Sequence, residues 1–271
     1  MNILGTARAT RRRSSELLIP ITLSTLVIAV PILFGTLQIQ GFLLPSHLSV
    51  FSRYMASPLQ LVIPLIATGL GCVGLYRRIG NRHLANMRNR TSVRALLIRQ
   101  LLESFSVPFI VFAGSALVIF VLAFAIWPLL GDPFISPSTY SFTTASARAA
   151  EPLEVSYSQL VRFGEPVYGV AYAIWFGLGA GTYSVLSAAC LLVFSNRVVA
   201  LLIPIGLYLV ETIVGALLGS PYFGLMYSLV PFGLDQVPIL FAAAPTLLLI
   251  VMVAYIWSRI LRHPFEIQNL R

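Results

Sequence analysis

Long apolar stretches alternate with short polar segments along this chain of 271 residues. A helix needs about 20 apolar residues to cross the hydrocarbon core of a bilayer. Six stretches reach that length, and each is predicted to form one membrane-spanning helix: 17–37, 58–76, 107–130, 167–194, 198–219 and 237–257. The pattern therefore predicts an all-α polytopic membrane protein, with a single transmembrane domain that covers residues 1–271. Only residues 195–197 separate the fourth and fifth stretches, which indicates a tight helical hairpin.

Composition supports lipid as the solvent of this chain. Hydrophobic residues make up 58% of it and charged residues only 10%, and its mean hydropathy is +0.88. A soluble domain normally carries about a quarter charged residues. So little charge could not cover a surface that faces water.

The arginines predict the orientation of the spans. All 18 basic residues are arginine, and the chain has no lysine. With the N-terminus inside, fifteen arginines fall on the cytoplasmic side and three fall outside, namely Arg53, Arg148 and Arg162. Cytoplasmic loops carry such an excess of basic residues, so both termini are predicted to be cytoplasmic. The net charge of +9 then belongs to the cytoplasmic face, and nucleic acid is not a predicted partner.

Three segments between the spans have a distinctive composition. The predicted cytoplasmic loop, about 77–106, is strongly basic, and its second half has the apolar period of an amphipathic helix that leads into the third span. Thr91 and Ser92 are candidate N-caps of that helix. The predicted extracytoplasmic loop covers about 131–165. Residues 220–236 are too apolar for an ordinary loop, which indicates a re-entrant or interfacial turn. The apolar stripe of the amphipathic helix consists of Val93, Leu96, Leu97, Leu101 and Phe105.

Residues needed for most enzymatic chemistry are missing. A Walker A motif requires a lysine, so this chain cannot bind nucleotide phosphates in that way. The three histidines are scattered over predicted loops, and neither Cys72 nor Cys190 has a second ligand at metal-binding spacing. The sequence therefore predicts a chain that is not an enzyme and that binds no metal or cofactor itself.

Glu211 is the acid predicted to lie at membrane depth, about the middle of the fifth span. An ionisable group inside a bilayer is costly and is by default a functional hypothesis. It could be a substrate- or proton-handling carboxylate on a translocation pathway, together with Tyr208 one turn away. It could also be a carboxyl that burial keeps neutral and that hydrogen-bonds a neighbouring helix or a dimer partner. Both interpretations stay open at this point, with the second favoured.

The basic loop likewise has two interpretations. It could be a solvated anchor that attracts anionic lipid heads, or it could be a docking element for a cytoplasmic subunit. An anchor alone would not need the apolar stripe that begins at Val93. Docking is therefore the favoured hypothesis.

Three stretches carry a resemblance to a known family. Arg11, Arg12 and Arg13 run directly into the first span; residues 79–105 form a basic loop that ends in a helix entering the third span; and residues 192–204 form a short basic hairpin followed by an apolar run to Pro204. In these stretches and in its topology, the chain resembles the membrane (permease) subunit of an ATP-binding-cassette (ABC) exporter of the type-2 permease superfamily.

The resemblance implies a mechanism and partners. Two permease chains, forming a homodimer or a heterodimer in the bacterial inner (plasma) membrane, would bind a separate cytosolic ATPase. That ATPase would hold the ATP and magnesium. Closure of the ATPase would switch a central pathway between inward and outward access. Two other classes remain open: an ion-coupled secondary transporter or small channel, and a non-transporting accessory or immunity protein. The ATPase-coupling residues implied by the resemblance are Arg82, Asn86, Arg88, Asn89, Arg90, Thr91, Ser92 and Arg94.

Overall fold

The structure, a computed structural model, describes residues 3–80, 92–136, 139, 155, 157–230, 232 and 236–263. All of its regular elements in these ranges are helices. Extended backbone is paired at two isolated β-bridges in these ranges, Leu44–Ile135 and Val155–Phe232. A 3-10 turn over Pro58–Val62 leads into the third helix. The α-helices of at least five residues are α1 (Ile3–Ile39), α2 (His47–Met55), α3 (Ile63–Gly80), α4 (Val93–Val121), α5 (Glu165–Val193), α6 (Arg197–Leu217), α7 (Leu225–Leu229) and α8 (Ile239–Arg262).

Six helical segments are long and apolar enough to cross a membrane, which confirms the predicted all-α architecture and the number of spans. Four of them begin and end within three residues of the predicted limits, and the sixth ends five residues beyond its predicted limit. The third is much longer than predicted, because the amphipathic helix and the third span are one continuous segment. The six segments are Leu18–Ile39, Pro58–Ile79, Val93–Leu129, Glu165–Val193, Arg197–Leu217 and Ile239–Arg262.

The amphipathic helix predicted after the basic loop is confirmed as the first turns of α4. Ser92 is its N-cap, and its hydroxyl accepts a hydrogen bond from the Ala95 N–H at 3.4 Å. Leu97 is 2% exposed and the rest of the apolar stripe packs against the same core, whereas Arg94 and Arg99 are exposed. Beyond Val121 the helix loosens into a π-turn over Leu122–Ile126. A π-turn lengthens a helix without ending it, so the segment reaches Leu129.

Helix α5 is the centre of the bundle. In its most apolar stretch, 89% of the residues are buried. Its small residues let neighbouring backbones approach closely. A Cβ at Gly177 would lie only 2.8 Å from the Phe109 carbonyl oxygen of α4, and one at Gly181 would meet the Phe105 ring. The close packing at the run Gly177, Gly179 and Gly181 therefore occurs within this chain.

The predicted hairpin between the fourth and fifth spans is confirmed. Helix α5 ends at Val193 and α6 begins at Arg197. Asn196 is the N-cap of α6, because its side-chain oxygen accepts from the N–H groups of Val198 (3.1 Å) and Val199 (3.3 Å). The Arg197 guanidinium lies over the Tyr76 ring of α3. We call this end of the bundle, where Arg78, Arg94 and Arg197 lie, the basic end.

The opposite end is closed by α2, a short helix that the sequence did not indicate. Ser46 caps it through the Leu48 N–H. Phe51 is fully buried and makes edge-to-face contacts with Phe120 of α4 and Tyr172 of α5. These aromatic contacts attach the connection between the first two spans to the central helices.

The segment between α6 and α8 folds back between the helices, as a re-entrant turn, one of the two predicted arrangements, requires. Gly219, with φ +71°, reverses the chain just after α6. A Cβ at Gly224 would then lie 3.7 Å from the Cα of Thr212, which is five residues before the end of α6. The Leu229 side chain contacts Gly179, which lies fourteen residues, or about 21 Å, into α5. We call residues 220–230 the re-entrant turn.

Candidate functional site

The predicted ATPase-coupling residues lie for the most part outside the described residues. This holds for Arg82, Asn86, Arg88, Asn89, Arg90 and Thr91. Of the two described members, Ser92 is used as the N-cap of α4, and the Arg94 side chain is exposed at the basic end. Arg94 is thus free to meet a partner, whereas Ser92 has a structural role.

Next to these residues, α3 and α4 are tied together by polar side chains. Arg78 of α3 donates to Gln100 at 3.1 Å and pairs with Glu103 at 3.0 Å, both on α4. Glu103 also pairs with Arg99 one turn earlier, at 2.8 Å. About a third of the Arg78 and Glu103 side chains is exposed, so the ion pair itself is weak. The geometry nevertheless couples the end of α3 to the beginning of α4.

These contacts continue into the bundle as a row of neutral polar groups. Gln100 donates to the Ser104 hydroxyl at 3.1 Å, and that hydroxyl donates to the Gly71 carbonyl at 3.2 Å. Farther along α3, the Cys72 thiol donates to the Ser184 carbonyl, and Thr68 shares a hydrogen bond with Ser187 of α5. We call this row between α3, α4 and α5 the inner polar seam; it consists of Thr68, Cys72, Gln100, Ser104, Ser184 and Ser187.

Gly71 permits the seam to form. A Cβ at this position would collide with the Ser184 hydroxyl and with the Ser104 carbonyl oxygen. Three helices can therefore meet here only around a residue without a side chain. The seam satisfies its own polar groups and offers no nucleophile with a partnered base. Its chemistry is that of helix association rather than catalysis.

Glu211 points at the beginning of α7 in the re-entrant turn. Its carboxyl oxygen Oε2 accepts a hydrogen bond from the Leu225 N–H at 2.6 Å, and the neighbouring Thr212 hydroxyl accepts from the Met226 N–H at 3.3 Å. The first N–H groups of any helix have no partner within the helix. Glu211 and Thr212 supply acceptors for two of them. Glu211 is only partly buried, and it lies six residues, or about 9 Å, before the end of α6.

The other end of α7 is held by three aromatic side chains. The Ser228 carbonyl accepts from the Tyr157 hydroxyl at 3.0 Å and from the Trp175 indole N–H at 2.8 Å. The Leu229 carbonyl accepts from the Tyr172 hydroxyl at 2.8 Å. Burial raises the pKa of Tyr157, which keeps that hydroxyl protonated and able to donate. We call the set of five side chains Glu211, Thr212, Tyr157, Tyr172 and Trp175 the turn clamp.

Tyr208, the second residue predicted on the pathway, lies one turn before Glu211. It is fully buried, and its hydroxyl donates to the Gln60 carbonyl at 2.7 Å. Its ring packs edge-on against that of Tyr183 on α5, whose hydroxyl has no partner among the described residues. Tyr208 and Glu211 therefore share one side of α6 but have separate partners, and both lie far from Arg94.

Neither the inner polar seam nor the aromatic members of the turn clamp were predicted from the sequence. Gln100 and Ser104, four residues apart within an apolar stripe, were a signal for a polar contact between helices. The clamp aromatics had no such signal, because tyrosine and tryptophan are common in membrane helices. In the described ranges, no group of three His, Cys, Asp or Glu side chains could hold a metal ion.

Comparison of the chain with family models, with curated proteins and with solved structures returned no match.

Proposed function

We propose that this chain is the permease subunit of an ABC exporter, driven by a separate cytosolic ATPase. The observation that carries the proposal is the course of α4. This helix begins at Val93, directly after the basic segment and its N-cap Ser92, and continues without a break for 29 residues beside the central helix α5. A partner that moved the basic segment would move the whole third span with it.

The ties between α3 and α4 support the same proposal. Because Arg78 is bound to Gln100 and Glu103, a force on the basic loop acts on the second and third spans together. The inner polar seam then connects both spans to α5. The two spans and the central helix thus form a mechanical unit suited to transmit the motion of a docked ATPase.

The proposed orientation places the basic end in the cytoplasm, with both termini, in the inner (plasma) membrane of a bacterium. The excess of arginine at this end supports it. A second permease chain, identical or different, would complete the pathway. Glu211 and Tyr208 are proposed to lie along this pathway, about two-thirds of the way along α6 from the basic end.

The test is to solubilise the full chain gently from its native membrane and to identify its stoichiometric partners by mass spectrometry. We expect an ATPase with a Walker A motif, and we expect it to be lost when Arg88, Arg90 and Arg94 are changed to Glu. The matched control changes Arg53, Arg148 and Arg162 to Glu, which alters the charge by the same amount on the side predicted to be extracytoplasmic. Recovery of the chain without any ATPase would contradict the proposal.

If no ATPase is found, the two alternatives can be separated. An ion-coupled carrier would require Glu211 and would lose activity in Glu211→Gln without any dependence on ATP. A binding-only accessory or immunity protein would keep its partner after reversal of the charges in residues 82–94.

A further inference from the structure

The re-entrant turn has an unusual requirement for hydrogen bonds. Helix α7 has only five residues, so most of its backbone N–H and C=O groups have no partner within the helix. Gly224, Leu225, Ser228 and Leu229 are buried. An unpaired backbone group buried away from water is costly, so the fold needs acceptors at one end of α7 and donors at the other.

Glu211 and Thr212 meet this requirement from α6. Neighbouring residues on α6 present two acceptors to two successive N–H groups, those of Leu225 and Met226. The arrangement matches the function of an N-cap, except that the acceptors come from a different helix. No basic side chain is paired with Glu211 in the described part of the chain, so nothing in the contact depends on an opposite charge.

From these contacts we infer that Glu211 is a positioning residue of the re-entrant turn, and that it acts as a hydrogen-bond acceptor rather than as a carrier of charge or protons. The inference rests on the proposed function only in placing the turn at the wall of a pathway. It makes a distinctive prediction, because glutamine keeps the acceptor oxygen and removes the ionisable group. Leucine keeps approximately the size and removes the acceptor.

The experiment measures how accessible the turn is. Ser228 is fully buried, and its hydroxyl has no partner among the described residues, so Ser228→Cys is a conservative probe. The probe is introduced into the full chain after replacement of the buried Cys72 and Cys190 by alanine. The rate of its modification by a membrane-impermeant maleimide is then measured in native membranes with Glu211, Glu211→Gln and Glu211→Leu.

We expect Glu211→Leu to raise the labelling rate about tenfold or more, because it leaves the Leu225 N–H unpaired. Glu211→Gln should stay within about threefold of the parent, because the amide oxygen still accepts. Glu165→Leu, at an exposed acid that begins α5, is the matched control and should change nothing. Equal labelling of the glutamine and leucine variants, or an unchanged rate in the leucine variant, would overturn the inference.

Thr212 provides a second test if Glu211→Leu does not accumulate as folded protein. Thr212→Val removes the acceptor of the Met226 N–H, whereas Thr212→Ser keeps it. Faster labelling in the valine variant alone supports the inference, and no difference between the two contradicts it. Thr182→Val is the control, because among the described residues that hydroxyl bonds the Leu178 carbonyl of its own helix. The labelling needs neither ATP nor a transported molecule, so its outcome is independent of whether an ATPase partner exists.

Discussion

The inner polar seam and the turn clamp solve different problems with similar residues. In the seam, hydroxyl, amide and thiol groups bridge three continuous helices, for example between Thr68 of α3 and Ser187 of α5 and between Ser104 of α4 and the Gly71 carbonyl of α3. In the clamp, side chains bind the backbone of a short helix that cannot satisfy itself, as in the bond between Tyr172 and the Leu229 carbonyl. The seam strengthens the association of helices whose backbone hydrogen bonds are already made within each helix. The clamp instead supplies the hydrogen bonds that the short helix α7 lacks, which allows it to lie inside the bundle.

This difference shows how polar residues at membrane depth can be interpreted. Hydrogen bonds between membrane helices contribute only about 0.6 kcal/mol on average. A buried backbone group left without a partner costs more, about 1–3 kcal/mol. Single changes in the clamp should therefore have larger effects than single changes at the ends of the seam, except at Gly71, where the constraint is steric.

Gly71→Val is expected to have the largest effect on the seam. Its side chain would collide with Ser184 and with the Ser104 backbone, and we expect a loss of about 3 kcal/mol or more, the upper part of the range for overpacking. Thermal unfolding in detergent measures the change. Gly74→Val is the matched control, because a Cβ there meets nothing within 4 Å. Equal destabilisation by the two substitutions would show that the seam is not closely packed at Gly71.

Tyr172→Phe is expected to have an intermediate effect, confined to the clamp. It removes the donor to the Leu229 carbonyl and should cost about 1–3 kcal/mol, the penalty of a buried group without a partner. The loss should appear both in thermal unfolding and as faster labelling of the cysteine probe at Ser228. Tyr255→Phe, at a residue 64% exposed, is the control. Destabilisation without faster labelling would show that the Tyr172 hydroxyl does not hold the re-entrant turn in place.

The smallest effect is expected for the pair Thr68 and Ser187. Thr68→Val and Ser187→Ala should each cost about 1 kcal/mol, and the double variant should cost less than their sum, because both substitutions remove the same hydrogen bond. Unfolding free energies from the complete double-mutant cycle test this coupling. Strictly additive losses would mean that the two hydroxyls do not stabilise each other and that the seam is not cooperative at this point.

Much of the fold could be predicted because the signals are local. The apolar length of each span, the N-cap Ser92 and the apolar stripe from Val93 all depend on neighbouring residues. The start of the third span could not be placed correctly in the same way. Hydropathy located its apolar part, whereas the helix extends back through Glu103, whose charge is balanced by Arg78 on another helix.

The candidate site was predictable only in part. Glu211 was identified because an acid in an apolar stretch is conspicuous in the sequence, and its structural interpretation agrees with the hydrogen bond to Leu225. The partners of Glu211 and Tyr208 could not be named from the pattern. Tyr208 binds the carbonyl of Gln60, 148 residues away. The residues next to Tyr208 in the sequence give no indication of so distant a partner.

The sequence by itself determined that this chain forms six apolar helices and where most of them begin and end. Those features follow from hydrophobic length and from the hydrogen bonding of helix ends, which neighbouring residues decide. Only the tertiary structure decided that Gly71 marks a three-helix contact, that Thr68 meets Ser187, and that the re-entrant turn reaches down to Gly179. Such contacts depend on how separate helices pack, and a linear pattern of apolar positions leaves the choice of neighbours open.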